Sequence, residues 1–284
     1  MAILLLCAAP VQAASLLVYY DGSVSGNDLV DQSGNGYNAV YDANGSGTTP
    51  LVLTTTPANS GSGSYISLPS DGTSGTTTKS GRYAVTQSGG FSYDFNNDSW
   101  SMAMFYNRQS SDSRDTLFHI GAGDGFGGEN ELYAWGLENS SALSLQKYPV
   151  VTDTTSAEVN LSASNKMGTD VWHHLAVTFT ASGLNDGLGT LSYYVDGTLV
   201  GTDSTFTMAT TNSFFFGGQA AGTAERNFIG FMDDMALFDD VLSASDIASL
   251  ANGTQTPIGL VPEPGRAVLM LISLLGLMMV RRRK

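Results

Sequence analysis

The sequence has little cysteine and little positive charge, and both shortages restrict what the protein can be. Its 284 residues include one cysteine, Cys7, so the fold cannot depend on internal disulfide bonds. Of the 12 basic residues, five lie at or after Arg266, whereas all 26 acidic residues precede it. Such an acidic body repels polyanions, which excludes nucleic acid as a natural partner and favours neutral ligands or divalent cations.

Long hydrophobic runs are absent except at the two ends of the chain. The first 14 residues, MAILLLCAAPVQAA, form a short apolar run followed by small residues at the spacing that a signal peptidase accepts. This pattern predicts a secretory signal peptide over residues 1–13, cut after Ala13. A buried first strand is the alternative interpretation. Removal of the signal peptide would leave a mature protein without a thiol.

Between the two ends, the sequence predicts β-structure with one short helix. Apolar residues recur at a period of two or in short runs between turn residues, as a β-sandwich requires. An Asp-Gly pair at 196–197, between strand-like residues, predicts a tight hairpin. Ser243 with Asp246 three residues later predicts the capped start of a helix. Residues 253–261 have the composition of a linker, so we expect one domain over residues 16–252.

Three stretches resemble laminin-G-like domains in their order and spacing. They are DQSGNGYNA at 31–39, WHHLAVTFT followed by YYVDGTLVG within 172–201, and GFMDDMALFDDVLSASDIASL at 230–250. The resemblance implies the concanavalin A-like lectin/glucanase superfamily. The expected fold is therefore all-β, a jelly-roll sandwich of two antiparallel sheets with one short C-terminal helix, followed by a hydrophobic tail helix. This superfamily contains binding modules, structural domains and hydrolases, so the fold leaves the function open.

The C-terminal end resembles the PEP-CTERM sorting signal of Gram-negative bacteria. Pro262, Glu263 and Pro264 come first, and a hydrophobic run and four cations complete residues 262–284. The resemblance implies an exosortase that processes the Pro-Glu-Pro site of an exported protein bound for the outer surface or extracellular matrix. Residues 267–280 would anchor it transiently in the inner membrane, although about 21 Å of helix is short for a bilayer core of about 30 Å. An uncleaved membrane tether is the alternative.

No complete catalytic motif is recognisable in the sequence. Glucanases of this superfamily carry acidic residues two apart along one strand, so that two carboxylates flank a glycosidic bond. Glu129 and Glu131 have this spacing but lack a third member. His173 and His174 are adjacent in a predicted strand and should face opposite sides, so they cannot bind one zinc ion together. The sequence favours a non-catalytic protein, with a glycoside hydrolase or lyase as the alternative.

Three aspartates are candidate ligands for a structural calcium ion. Calcium prefers carboxylate and carbonyl oxygens held in loops. Asp31 in its turn, and Asp233 and Asp234 in the last strand, occupy positions that the laminin-G resemblance implies are often acidic. Because adjacent strand residues face opposite ways, only one of Asp233 and Asp234 should reach a given ion. The alternative is that Asp31 caps its own turn and a strand aspartate binds loop amides.

Two pairs of residues are candidates for sugar binding. Phe105 and Asn107 share one face of a predicted strand, and Tyr133 and Trp135 share one face of another. Sugar sites combine aromatic surfaces with a few polar groups, although the same residues also suit a core. We expect a module that binds a glycan or a matrix polysaccharide. A structural matrix protein without a specific ligand remains the alternative.

Overall fold

The structure is a computed structural model with eleven described segments. They are residues 14–43, 51–53, 64–69, 81–85, 91–109, 115–121, 131–136, 141–148, 160–207, 214–219 and 227–261. The predicted signal peptide at 1–13 and the predicted sorting signal at 262–284, including the tail helix, lie outside these ranges. Within them, no helix is long and apolar enough to cross a membrane.

One of the two main sheets has eight strands. Seven of them follow the order β15 (Thr198–Thr207), β14 (Leu188–Val195), β13 (Trp172–Ala181), β8 (Trp100–Arg108), β17 (Gly230–Phe238), β6 (Tyr65–Leu68) and β5 (Leu51–Leu53). The eighth strand, β1 (Leu16–Tyr20), pairs with β17. Every pairing between the strands of this sheet is antiparallel.

The other main sheet has seven strands, which are also antiparallel. Their order is β12 (Asn160–Ala163), β11 (Leu143–Tyr148), β10 (Glu131–Gly136), β9 (Asp115–Ile120), β16 (Phe214–Phe216), β7 (Arg82–Ala84) and β4 (Val40–Asp42). Two short strands, β2 (Val24–Ser25) and β3 (Asp28–Leu29), form a separate hairpin. Two antiparallel sheets confirm the predicted all-β sandwich.

The main hydrophobic core lies between the two sheets. Alternate residues of β8, namely Met102, Met104 and Tyr106, are fully buried and belong to the same cluster as Leu132 and Ala134 of β10. The alternation follows from the two-residue period of a strand, which directs every second side chain to one face. The intervening residues therefore lie on the outer face of each sheet, the side away from this core.

The first and last strands of the domain close the eight-stranded sheet together. Leu16 pairs with Phe238, and Tyr20 pairs with Met235. Strand β6 occupies the same side of β17 further along, where it pairs with residues 230–232. These pairings satisfy backbone groups that an open edge would expose. Residues 16–20 therefore lie beside the last strand of the domain.

The predicted hairpin and helix are both present. Asp196 and Gly197 have φ angles of 50° and 76°, the left-handed conformation that a two-residue hairpin turn requires. Helix α1 (Ala244–Ala251) begins with a capping box between Ser243 and Asp246. The segment predicted as a linker contains a short helix, α2 (Pro257–Leu260), in which Pro257 is buried.

A second, smaller hydrophobic cluster covers part of the outer face of the eight-stranded sheet. Ala103, Ala176 and Ala236 come from the neighbouring strands β8, β13 and β17, and Ile247 and Leu250 of α1 belong to the same cluster. Three alanines make a shallow surface, so the helix can approach the sheet closely. The helix thus buries its apolar side without entering the main core.

Candidate functional site

Four of the predicted site residues lie together on the outer face of the eight-stranded sheet. Phe105 and Asn107 come from β8, and Asp233 and Asp234 come from the neighbouring β17. All four are nearly or fully buried. The structure therefore brings one predicted sugar-binding pair close to two of the predicted metal ligands.

The two aspartates of β17 face the same side because the strand contains a β-bulge. Asp233 pairs with Phe105, and Ala236 pairs with Ala103, so β17 has one more residue than β8 between these two pairs. Asp234 adopts a φ angle of 48°, and its side chain lines the same outer pocket as Phe105. The prediction that Asp233 and Asp234 face opposite sides is therefore wrong, since a bulge interrupts the alternation of a strand.

Tyr19 connects the bulge to Asp31. Its phenol donates a hydrogen bond of 2.5 Å to Asp234 Oδ1, and its backbone N–H donates one of 3.0 Å to Asp31 Oδ1. Burial, followed by the nearby charge of Asp234, raises the pKa of the Tyr19 phenol far above its usual value. The phenol therefore stays protonated and remains a donor to the aspartate.

Asp31 is surrounded by hydrogen-bond donors in the loop before β4. Besides Tyr19, its carboxylate accepts from the Ser33 N–H at 2.9 Å, the Ser33 hydroxyl at 2.8 Å and the Tyr37 N–H at 2.9 Å. Asp31 therefore caps its own loop, as the alternative interpretation of the sequence holds. These contacts do not fit a calcium ligand, because donors face the lone pairs that a cation would need.

The other described residues do not assemble a metal site either. Within the described segments, no group of three or more His, Cys, Asp or Glu side chains is placed to hold a metal ion. The Oδ1 atom of Asp233 accepts a hydrogen bond of 2.9 Å from the backbone N–H of Asp234. Calcium binding at Asp31 and this aspartate pair stays a prediction, and the contacts of Asp31 argue against it.

A shallow pocket lies between the outer face of the eight-stranded sheet and the C-terminal segment. The rings of Phe105 and His174 contact each other edge to face at 4.8 Å. Burial lowers the pKa of His174 to about 4, and its Nδ1 has no hydrogen-bond partner in the described chain. His173 faces the other way, against Tyr106 of the core, as predicted. The residues lining the pocket are Ala103, Phe105, His174, Asp234, Leu250, Gln255 and Pro257.

Three partly exposed aromatic rings lie further along the same outer face. We call Tyr65, Trp172 and Phe231 the ring cluster. Tyr65 lies 5.2 Å from Phe231 and 5.6 Å from Trp172, and 6.2 Å separate Trp172 from Phe231, all between ring centroids. Each ring is only partly buried, unlike the aromatic side chains of the core. The cluster is therefore an aromatic surface that a ligand can reach.

Asn107 lies in the middle of the ring cluster. It pairs with Trp172 on β13 and with Phe231 on β17, so the two rings flank its side chain. Its Oδ1 accepts a hydrogen bond of 2.7 Å from Nε2 of Gln109, which is exposed. The ring cluster therefore combines aromatic surface with two side-chain amides.

The members of the ring cluster were not among the predicted binding residues. The sequence carried a partial signal, because Trp172 lies an odd number of positions before the core residues Leu175 and Val177 and so belongs to the outer face. The assembly itself depends on pairing between strands that begin near residues 65, 172 and 230. No local pattern specifies that register.

Tyr133 and Trp135 lie on the outer face of the seven-stranded sheet. Their rings contact each other at 5.9 Å, and the row continues from Tyr133 to His119 at 5.5 Å and from His119 to Phe215 at 6.1 Å. The guanidinium of Arg82 lies 5.2 Å from the centre of the Phe215 ring. All five side chains are buried, with exposed fractions no higher than 6%. They cannot form one site with Phe105 and Asn107, which belong to the other sheet.

Two buried polar groups beside this aromatic row have no partner in the described chain. Gln146 lies opposite Tyr133, and Thr116 lies opposite Trp135. Neither the Gln146 Oε1 nor the Thr116 Oγ1 has a hydrogen-bond partner. Because buried polar atoms are nearly always paired, this face has hydrogen-bonding capacity that the described side chains leave unused.

Of the two glutamates with glucanase-like spacing, Glu131 lies within the described residues. Its Oε2 is 3.5 Å from Nε2 of His119, and both side chains are buried. Glu129 lies outside the described ranges. A single carboxylate beside a histidine does not supply the two carboxyl groups that most glycosidases use.

The two packed antiparallel sheets define a jelly-roll β-sandwich. The chain belongs to the concanavalin A-like lectin/glucanases superfamily, because a laminin-G profile of that superfamily matches residues 60–248. No curated protein sequence matches the chain.

Solved structures with a similar fold include binding domains. Domain 4 of AbnA, an extracellular arabinanase from Geobacillus stearothermophilus solved in complex with arabinotriose, has a TM-score of 0.57 at 17% identity. That match covers 84% of this chain and 100% of the other. The receptor binding domain of botulinum neurotoxin D has a TM-score of 0.55 at 16% identity, covering 84% of this chain and 53% of the other. At such identities the similarity shows the fold alone.

Proposed function

We propose that the protein is a non-catalytic module that binds glycans. One observation carries this proposal: partly exposed aromatic rings lie beside side-chain amides on the outer face of the eight-stranded sheet. Trp172 and Phe231 flank Asn107, and the exposed Gln109 donates a hydrogen bond to it. Sugars bind to such combinations because their C–H faces stack on rings while their hydroxyls bond to polar groups.

Two proteins of similar fold support a carbohydrate ligand. The arabinanase domain was solved in complex with arabinotriose, and the binding domain of botulinum neurotoxin DC was solved in complex with SialylT. The latter matches this chain with a TM-score of 0.53 and 18% identity over 85% of its length and 52% of the other chain. The second is a binding domain by name, which agrees with a non-catalytic role.

The test is binding and hydrolysis measured on one panel of polysaccharides. The purified protein is run by affinity electrophoresis through gels that contain arabinan, xylan, β-glucan, mannan, polygalacturonate or alginate. Parallel incubations are assayed for new reducing ends. We expect at least one polysaccharide to retard the protein without release of reducing ends. Retardation by none would contradict the proposal, and release of reducing ends would favour the hydrolase alternative.

We further propose that the protein works outside the cytoplasm. The support is sequence alone, because residues 1–13 resemble a signal peptide and 262–284 resemble a PEP-CTERM signal. In this proposal an exosortase processes the chain at Pro262, Glu263 and Pro264 after transient anchoring in the inner membrane. The glycan partner would then be an extracellular matrix polysaccharide of the cell that exports the protein.

A further inference from the structure

We infer that the ring cluster of Tyr65, Trp172 and Phe231 is a binding site for uncharged sugar residues. This inference rests on the glycan-binding function proposed above, and adds the place of binding and the charge class of the ligand. Asn107 and Gln109 act in it as hydrogen-bonding partners of the sugar hydroxyls.

The accessibility of the rings supports this location. The protein has three tryptophans, of which Trp100 and Trp135 are no more than 3% exposed, whereas Trp172 is partly exposed. Its partners Tyr65 and Phe231 are also partly exposed. A sugar can therefore contact these rings without any rearrangement of the core. The aromatic row around Tyr133 is fully buried and lacks this access.

The two amides, Asn107 between the rings and the exposed Gln109 next to it, present complementary groups. Gln109 Nε2 donates to Asn107 Oδ1, which leaves Asn107 Nδ2 as a donor and Gln109 Oε1 as an acceptor. Neither of these two remaining atoms has a partner in the described part of the chain. A sugar hydroxyl both donates and accepts, so adjacent hydroxyls can bind to both amides at once. An apolar protein segment would leave this donor and acceptor unused.

The charges around the ring cluster favour a neutral ligand. Asp170 is exposed two residues before Trp172, and Asp233 lies on the same face of β17. Arg108, the residue after Asn107, is fully buried, and its Nε lies 2.6 Å from Asp115 Oδ2. It cannot reach the surface to bind an acid. Among the described residues, uronic or sialic acids would therefore gain no counter-charge there, and the exposed carboxylate of Asp170 disfavours them.

Trp172 provides a direct signal for the test. Because it is the most exposed of the three tryptophans, quenching of the intrinsic fluorescence by acrylamide reports mainly on its ring. The full chain is titrated with neutral oligosaccharides, namely arabinotriose, xylotriose, cellotriose and mannotriose, and with sialyllactose and trigalacturonate as charged probes. We expect at least one neutral probe to reduce the quenching, and no reduction with the charged probes.

Variants then test whether the ring cluster is the binding site, separately from whether the protein binds glycans. Trp172→Ala and Phe231→Ala should weaken binding of the best polysaccharide at least about tenfold, as expected when a stacked ring is removed. Trp172→Phe keeps a ring and should retain most of the affinity. The control is Tyr194→Ala, which removes a half-buried ring from another part of the sheet face and should leave the affinity unchanged. Thermal unfolding of each variant confirms that it is folded.

Each outcome supports or overturns a defined claim. Loss of binding in both ring variants, with retention in Trp172→Phe and Tyr194→Ala, supports the site. Full binding by both folded ring variants overturns the site but leaves the glycan-binding function intact. A preference for charged probes overturns the neutral ligand class. Absence of binding to every polysaccharide overturns the function and this site with it.

Discussion

His174 shows how burial at one residue couples stability to pH. The pKa of its imidazole is about 4 in the folded protein, against 6.5 for an ordinary histidine, because the ring is buried. Between these two values the unfolded chain binds a proton that the folded chain does not bind. The neutral imidazole therefore leaves the free energy of unfolding at its full value above pH 6.5. Below pH 6.5 the free energy of unfolding decreases as the pH falls toward 4.

This coupling predicts the effect of replacing His174 with leucine. Between pH 7.5 and pH 5, the free energy of unfolding of the wild type should fall by about 2 kcal/mol more than that of His174→Leu. Urea unfolding at several pH values measures both curves, and the other titrating groups are common to the two proteins. Parallel curves would contradict the account of a neutral, buried imidazole.

Asp31 allows the two interpretations of the acidic loop to be tested against each other. Because its carboxylate accepts four hydrogen bonds, we expect Asp31→Asn to destabilise the fold by roughly 2 kcal/mol, as one carboxylate oxygen is replaced by an NH2 donor. We also expect the melting temperature of the wild type to be the same in calcium and in a chelator. An increase in melting temperature with calcium, lost in Asp31→Asn, would instead support a calcium site.

At the scale of single elements, the hairpin between β14 and β15 depends on a left-handed glycine. Gly197 has a φ angle of 76°, and a Cβ there would lie 3.2 Å from Ala248 Cα and 3.2 Å from Ala251 Cβ of helix α1. The turn therefore carries both a conformational requirement and a packing requirement. Gly183 has a similar φ angle of 78° but no atom within 4 Å of the equivalent Cβ position.

The pair of glycines predicts two different costs for the same substitution. Gly183→Ala should cost about 1 kcal/mol, from left-handed strain alone. Gly197→Ala should cost more, because strain adds to a close contact with α1. Chemical unfolding of the two variants measures the difference. Equal losses of unfolding free energy would show that α1 shifts to accommodate the added methyl group.

The β-bulge is the other element that determines the arrangement of the outer face. Without the bulge, the side chains of β17 would alternate regularly between the two faces of the sheet, and either Asp233 or Asp234 would face the core. The bulge directs both carboxylates outward, where Tyr19 donates a hydrogen bond to Asp234. The polar groups thereby avoid an apolar interior in which they would be costly to bury.

For the whole molecule, the two ends of the domain lie near each other. Ala14 and Val261 pack against the same outer hydrophobic cluster, and Leu16 pairs with Phe238 at the end of β17. A tail that continues from Val261 would therefore leave the domain beside its N-terminal end.

The C-terminal tail, residues 262–284, allows a prediction about the whole molecule. If the proposed processing at the Pro262–Pro264 site takes place, the mature protein in the native host should lack Arg281 to Lys284. A variant with these three residues changed to alanine should keep the tail, since the processing enzyme no longer recognises it. Mass spectrometry of both proteins measures this. Finding the tail on the mature wild-type protein would support an uncleaved tether.

The sequence by itself determined the elements whose signals are local. The hairpin at Asp196 and Gly197 and the cap at Ser243 and Asp246 follow from backbone conformation and short-range hydrogen bonds. The all-β class follows from the two-residue period of apolar side chains. Such features involve residues close in sequence, so a short window contains all the information that specifies them.

Only the tertiary structure decided how distant residues combine into sites. It separated Phe105 and Asn107 from Tyr133 and Trp135 by placing them on different sheets. It also brought Trp172 and Phe231 to either side of Asn107, and revealed the bulge that turned Asp233 and Asp234 to one face. The physical reason is that strand register depends on the packing of the whole core, which no local stretch of sequence specifies.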